Sequence, residues 1–248
     1  MPDGRKPIKR KLAIFLDAAH RNQQQIIKQH PQIYALMDRL HQSFENMLGG
    51  SYEGPPTPAL LVLTAHGYFL SGVRTALAGQ MPPVFPVLRA GLEGALFALI
   101  MTADPTKEKI WTNRTASKSA GDKCRKTFTA SNGLRELVKL DPELHKSVEA
   151  YYSMAIDSGA HPNVGAVFPH MNVEDKGTFW LAQIRCIYPA DSFAVFDTTR
   201  FAVAVGACML AMMSYVMDGH EPAKEAYDEA RTIYGELSQM HGSDDTDR

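Results

Sequence analysis

The segment FPVLRAGLEGALFALI, Phe85 to Ile100, constrains this chain more than any other. Wound as a helix it is apolar around almost its whole circumference, and a helix of that kind belongs in the centre of a fold. Its only charges are Arg89 and Glu93. A second apolar run, Phe201 to Met217, is bracketed by Arg200 and Asp218 and has 17 residues. As a helix it would be about 25 Å long, short of the ~30 Å and roughly 20 residues that a membrane crossing asks for. With a mean hydropathy of −0.21 over the chain, the run reads as a second buried helix, with no membrane involved.

Prolines and glycines mark where the other helices begin and end. Thr57-Pro58, Asp104-Pro105 and Asp141-Pro142 each pair an N-cap residue with proline at the first helical position. Pro31, Pro83 and Pro222 sit at further starts, and Gly49-Gly50, Gly79, Gly133, Gly159 and Gly219 at ends. The spacing predicts eight helices, near 8–29, 31–48, 58–79, 83–103, 105–131, 142–158, 191–218 and 222–240. In the third, Leu63, His66, Leu70, Val73 and Leu77 share one stripe, while Gly67, Ser71 and Ala78 offer a side for close helix approach. Between 165 and 188 the helical pattern breaks. Glu174-Asp175-Lys176-Gly177 is a turn signal between strands at 165–173 and 178–188, so a small β-hairpin insertion is expected, with an irregular surface loop as the alternative. The fold class is therefore an all-α bundle of about eight helices with a hairpin near 165–188. It forms one domain over 1–248, with tails at 1–7 and 241–248 expected to be disordered.

Composition excludes several classes. Lys+Arg is 26 against Asp+Glu 27, so no global charge excess points to nucleic acid or to an acidic tail protein. Three cysteines in 248 residues do not make a disulfide scaffold and suit reduced thiols in the cytoplasm. No H-E-x-x-H, C-x-x-C or E-x-x-H motif is present, so no metal is expected. No G-x-S-x-G, G-x-G-x-x-G or Walker loop points to a serine nucleophile or a nucleotide, and no cofactor is implied.

Chemistry, if any, starts from Arg89 and Glu93. Four residues apart, they share a face of the most apolar helix, where unpaired charges are costly. Arginine preceding glutamate is the weaker orientation of such a pair, so partners from other helices are expected. The pair either fixes helix register or forms a polar site in the bundle core. The segment YYSMAIDSGAHPN brings Asp157, Ser158, His161 and Asn163 to a helix C-terminus, where His161 could face Arg89 or Glu93; capping of the helix end is the plainer reading. His66, on the apolar stripe, is either a satisfied core residue or a ligand-binding one. Segment 105–131 holds Lys107, Lys109, Arg114, Lys118, Lys123, Arg125 and Lys126 against Glu108 and Asp122, a balance of 7 − 2 = +5. On one helix, Lys107, Arg114, Lys118 and Arg125 would align beside Trp111. Such a stripe could track phosphates, but a solvated face is the ordinary explanation, and nucleic acid is disfavoured as a partner.

The stretch LTAHGYFLSGVRTALAGQMPPVFPVLRAGLEGALFALI, with Arg89, Glu93, Tyr152, Ser158 and His161, resembles a class of bacterial all-α proteins with a buried R-x-x-x-E helix and a later Y-x(n)-S-x-x-H segment. That class is distantly similar to the HEPN-like superfamily, which includes RNases, defence and toxin–antitoxin components, and non-catalytic scaffold members. The resemblance covers residues 58–163. Catalytic HEPN RNases carry R-x(4–6)-H on one helix; here no arginine has a histidine five to seven positions downstream, so that activity does not carry over. Two expectations follow. The first is a cytoplasmic all-α interaction module, in a defence or stress context, binding a small molecule or a protein, with homodimerisation compatible. The alternative is a metal-independent hydrolase or RNase-like enzyme in which Arg89 clamps an anion, Glu93 is the base and His161 the acid.

Overall fold

The computed structural model describes residues 11–49, 52–160 and 164–240. The chain folds as an all-α bundle with a small antiparallel hairpin. The long helices are α1 (Lys11–Gln29), α2 (Pro31–Leu48), α3 (Pro56–Leu77), α4 (Met81–Ala103), α10 (Phe193–Val216) and α11 (Glu221–Ser238). Between α4 and α10 lie α5 (Glu108–Thr112), α6 (Lys118–Thr127), α7 (Ala130–Leu140), α8 (Pro142–Ala155) and the single turn α9 (Val164–Val167). The hairpin strands are β1 (Met171–Asp175) and β2 (Trp180–Ile184). The expected tails, and with them 8–10, fall outside the described residues.

The core is built on α10, which packs against α2, α3, α4, α8 and α11 and is buried along most of its length. Small residues set how close its neighbours come. An ideal Cβ on Gly206 would lie 2.4 Å from the Phe69 ring and 3.0 Å from Leu40, so α10 meets α2 and α3 with no room for a methyl group. Gly72 does the same for α3 against Leu88 of α4. The α3–α4 connection turns at Gly79, whose φ of +74° suits glycine, and buried Asn22 of α1 secures it by donating to the Ala78 and Tyr188 carbonyls at 3.1 and 2.8 Å. Arg39 ties α2 to α11 through Glu229 and Glu236, at 2.7 and 2.8 Å. Helices α3, α4 and α10 are long and apolar enough to cross a membrane, with 39%, 61% and 89% of the relevant windows buried within the bundle.

Several expected details are corrected. The predicted 105–131 helix is broken into a 3₁₀ turn at Pro105–Lys107, α5, α6 and the start of α7. The physical reason is an aromatic cluster: Trp111 and Phe128 both pack edge-on against Phe97 of α4, at 5.7 Å each, and against each other at 5.2 Å. The chain must double back to bring both rings there, so Lys107, Arg114, Lys118 and Arg125 share no helical face. On α3 the buried side carries Val62, Ala65, His66, Phe69, Gly72, Ala76 and Leu77. Leu63 and Leu70 are exposed, because the helix turns the face that carries Phe69 into the core. Gly67 faces open space rather than a neighbouring helix. Helix α3 begins at Pro56, and Thr57 caps nothing; its hydroxyl bonds Glu108 instead. Asp141 caps α8 as expected, accepting from the N–H groups of Glu143 and Leu144 at 3.1 and 2.9 Å.

The hairpin turns at Lys176-Gly177, where the Asp175 carboxylate accepts from Gly177 N–H at 2.7 Å and Gly177 has φ +80°. Its strands are shorter than expected, because 164–170 forms a helical turn and a 3₁₀ turn.

Candidate functional site

Arg89 and Glu93 sit on α4 where it faces α8. Arg89 Nε and Nη2 lie 3.1 and 3.0 Å from Glu93 Oε1. Tyr152 of α8 supplies the partner from another helix that the weak pair orientation called for. Its hydroxyl donates to Glu93 Oε1 at 2.8 Å, accepts from Arg89 Nη2 at 3.1 Å, and its ring lies under the guanidinium at 5.1 Å. The three groups thus close a triangle on one carboxylate oxygen. The side chains of Arg89 and Glu93 retain 22% and 31% exposure, so the expected deep burial of the pair is corrected to a position at the bundle's edge. Burial opposes the Arg89 charge, but the Tyr152 contact and the Glu93 carboxylate outweigh it and hold its pKa above the ordinary value. Burial and the hydrogen bond to Glu93 push the Tyr152 phenol upward, so it stays a neutral donor at physiological pH.

After Ala155 the chain runs on through Ile156–Ala160, a turn kinked at Gly159 and laid along the start of α4. Gly159 allows this approach: a Cβ there would meet the Pro82 carbonyl at 2.7 Å and the Phe85 ring at 3.4 Å. Asp157 is exposed and Ser158 half-buried in this turn. His161 and Asn163, the remaining residues of the expected constellation, lie outside the described residues.

His66 takes the role of a satisfied core residue. It is buried, stacks between Phe44 and His41 at 4.8 and 5.2 Å, and shares a 3.0 Å hydrogen bond with His41 Nδ1. Burial, then the neighbouring His41, lowers its pKa and keeps it neutral. Arg114 lies in the exposed turn after α5 with its guanidinium 5.7 Å from the Trp111 ring. Among the described residues no group of three or more His, Cys, Asp or Glu side chains could hold a metal ion.

Two features escaped sequence reasoning. One is the character of the hairpin. Its register pairs Met171 with Ile184, Val173 with Ala182 and Asp175 with Trp180. Strand alternation therefore puts Met171, Val173, Asp175, Trp180, Ala182 and Ile184 on one face, apolar but for Asp175 at its end, and Asn172, Glu174, Leu181 and Gln183 on the other. The apolar face is turned to solvent: Trp180 is 68% and Ile184 67% exposed. Every residue of β2 is exposed, and among the described residues β2 pairs only with β1. The signal was there in MNVED and WLAQI, whose alternation shows which face is apolar, though not that the face would stay uncovered. The other feature is a cleft between α8, α10 and α11. Its Tyr227 and Tyr234 are seven residues apart and so share a helical face.

Comparison with known proteins yields no match for this chain among family models, curated proteins or solved structures.

Proposed function

We propose that the protein is an all-α interaction module that pairs with a second copy of itself through the outer edge of β2. The supporting observation is the hairpin's solvent-facing, largely apolar face beside a strand whose outer edge has no partner among the described residues. Soluble proteins commonly protect such edges with charge, proline or a covering element, whereas Trp180 to Ile184 carries none of these. The strand is also self-complementary. A two-fold axis through Ala182 sets Trp180 of one copy opposite Ile184 of the other, an aromatic–aliphatic pair that occurs twice by symmetry. A pairing through β1 about Val173 would set Asp175 opposite Met171 and Glu174 opposite Asn172, which places charges instead of an aromatic–aliphatic pair along the seam.

The kinship with HEPN-like scaffold proteins, a bacterial defence or stress setting and a cytoplasmic location belong to the same proposal. The three free thiols, with Cys186 exposed, suit a reducing compartment. The hydrolase alternative needs Glu93 as a base, yet its Oε1 is already taken up by Arg89 and Tyr152.

Sedimentation velocity over about 1–100 µM tests the pairing, a range that brackets micromolar dissociation constants. The chain is expected to dimerise, and Trp180→Glu or Ile184→Lys alone to leave it monomeric with unchanged helical circular dichroism. The double variant, and an equimolar mixture of the two single variants, should recover association, because the two-fold register sets position 180 against position 184. A chain that is monomeric throughout, or single variants that dimerise as before, would refute the proposal.

A further inference from the structure

The cleft between α8, α10 and α11 has a volume of about 380 Å³. That is within the range of small-molecule sites, roughly 300–1,000 Å³. Small side chains make its floor: Ala207, Cys208 and Ala211 of α10 and Ala230 of α11 leave space that larger residues would fill. Tyr227 and Tyr234 stand along one side. Seven residues of helix separate them by about 10.5 Å, the length of a flat two-ring molecule with a polar group at each end.

The charges around the cleft decide what sign of ligand it takes. Asp141 lines one end, but its acceptor capacity is spent. Oδ1 takes the N–H groups of Glu143 and Leu144, and Oδ2 takes the hydroxyls of Tyr227 and Tyr215 at 2.7 and 3.3 Å. A carboxylate has about four lone-pair sites, so little is left for an incoming cation. Glu143 is engaged by Lys146 at 2.7 Å. Arg231 is different. Its guanidinium lies 5.9 Å from the Tyr227 ring, and it forms no ion pair among the described residues. Both carboxylates keep their charge; Arg231 is the cation of the lining, and its N–H donors are free of any ion pair among the described residues. At the far end the hydroxyls of Tyr234 and Tyr151 are 3.2 Å apart. Two hydroxyls sharing one hydrogen bond keep one proton over, and it has no other acceptor among the described residues. When Tyr151 donates to Tyr234, the Tyr234 proton is available to a ligand.

We infer that this cleft is a binding site for a small aromatic carboxylate carrying a second polar group. The ring system lies along Tyr227 and Tyr234 over the alanine floor, the carboxylate pairs with Arg231, and the distal oxygen accepts from Tyr234. An arginine can meet a carboxylate through two parallel N–H donors, which fixes ligand orientation as well as charge. The site is separate from the hairpin and does not depend on self-association.

The experiment is a fluorescence titration of the full chain with 6-hydroxy-2-naphthoate, alongside neutral 2-naphthol and cationic 2-naphthylmethylamine. Saturable one-to-one binding of the acid is expected, with the neutral compound at least about tenfold weaker. Arg231→Gln alters an exposed side chain, so the fold is preserved, and it should weaken the acid by about tenfold or more while leaving 2-naphthol unchanged. Ala230→Leu fills the floor and should abolish binding of both, with its thermal melt confirming the fold. Trp180→Glu should bind like the unaltered chain, which separates this site from the hairpin's apolar surface. Absence of saturable binding, tighter binding of the amine, or undiminished affinity of Arg231→Gln would each overturn the inference.

Discussion

Asp141 is where one side chain serves both the helix and the cleft, and its replacement by alanine has a calculable cost. The N-cap of α8 disappears, a loss of about 0.5–2 kcal/mol. The hydroxyls of Tyr227 and Tyr215, both half-buried, lose their acceptor, at about 0.5–1.5 kcal/mol each. Together Asp141→Ala should cost about 1.5–5 kcal/mol, and with ~2–4 °C per kcal/mol for a protein of this size the melting temperature should fall by about 3–20 °C. Asp141→Asn keeps a good capping oxygen and an acceptor, and should cost about 1 kcal/mol or less. The pH dependence separates charge from shape. Burial pushes the Asp141 carboxyl upward, but the backbone N–H groups and the two tyrosine hydroxyls outweigh it, so its pKa is lowered in the fold. Its charged form then contributes stability that is complete above the ordinary carboxylate value, near pH ~4, and is lost as pH falls through the lower folded value. Urea titrations followed by circular dichroism should show the difference between the wild type and Asp141→Asn shrinking below about pH 4. A loss under about 1 kcal/mol for Asp141→Ala at pH ~7, or a difference constant from pH ~7 to ~3, would refute the reasoning.

Gly206→Ala should destabilise by about 1–3 kcal/mol, since its methyl group has no space against Phe69 and Leu40. Gly67→Ala, on an open face of α3, should stabilise by up to about 1 kcal/mol; equal melting temperatures for the two variants would show that these helix contacts are misassigned. Arg89→Ala should cost about 1–2 kcal/mol and more than Glu93→Gln, because it removes the charge partner of Glu93 and the cation above Tyr152 while partial exposure limits the penalty. Chemical denaturation of both variants measures this. With a thiol-specific chromogenic reagent on the native chain, only exposed Cys186 should react quickly. Cys124 is buried, and the buried Cys208 thiol is pushed up to about 12, so both should wait for unfolding.

Local chemistry in the sequence was enough to specify much of this architecture. The apolar circumference of Phe85 to Ile100 and of Phe201 to Met217 requires burial wherever those helices pack, and Asp141-Pro142 starts a helix whatever lies beside it. The turn at Glu174 to Gly177 follows from a carboxylate that can accept from a nearby N–H and a glycine free to adopt positive φ. The spacing of Arg89 and Glu93 likewise showed that they share a face and need another partner. Which residue would answer depended on α8 lying across α4, and that is a property of packing: Tyr152 is 59 residues from Glu93. The same holds for the basic segment, where helical spacing from Lys107 to Arg125 was overridden because Trp111 and Phe128 gain more by meeting Phe97 than the backbone gains by staying straight. The exposure of Trp180 and Ile184 and the opening between α8, α10 and α11 are decided entirely at this level. A side chain's type limits how much it can bury, but only the arrangement of the other elements determines whether anything covers it.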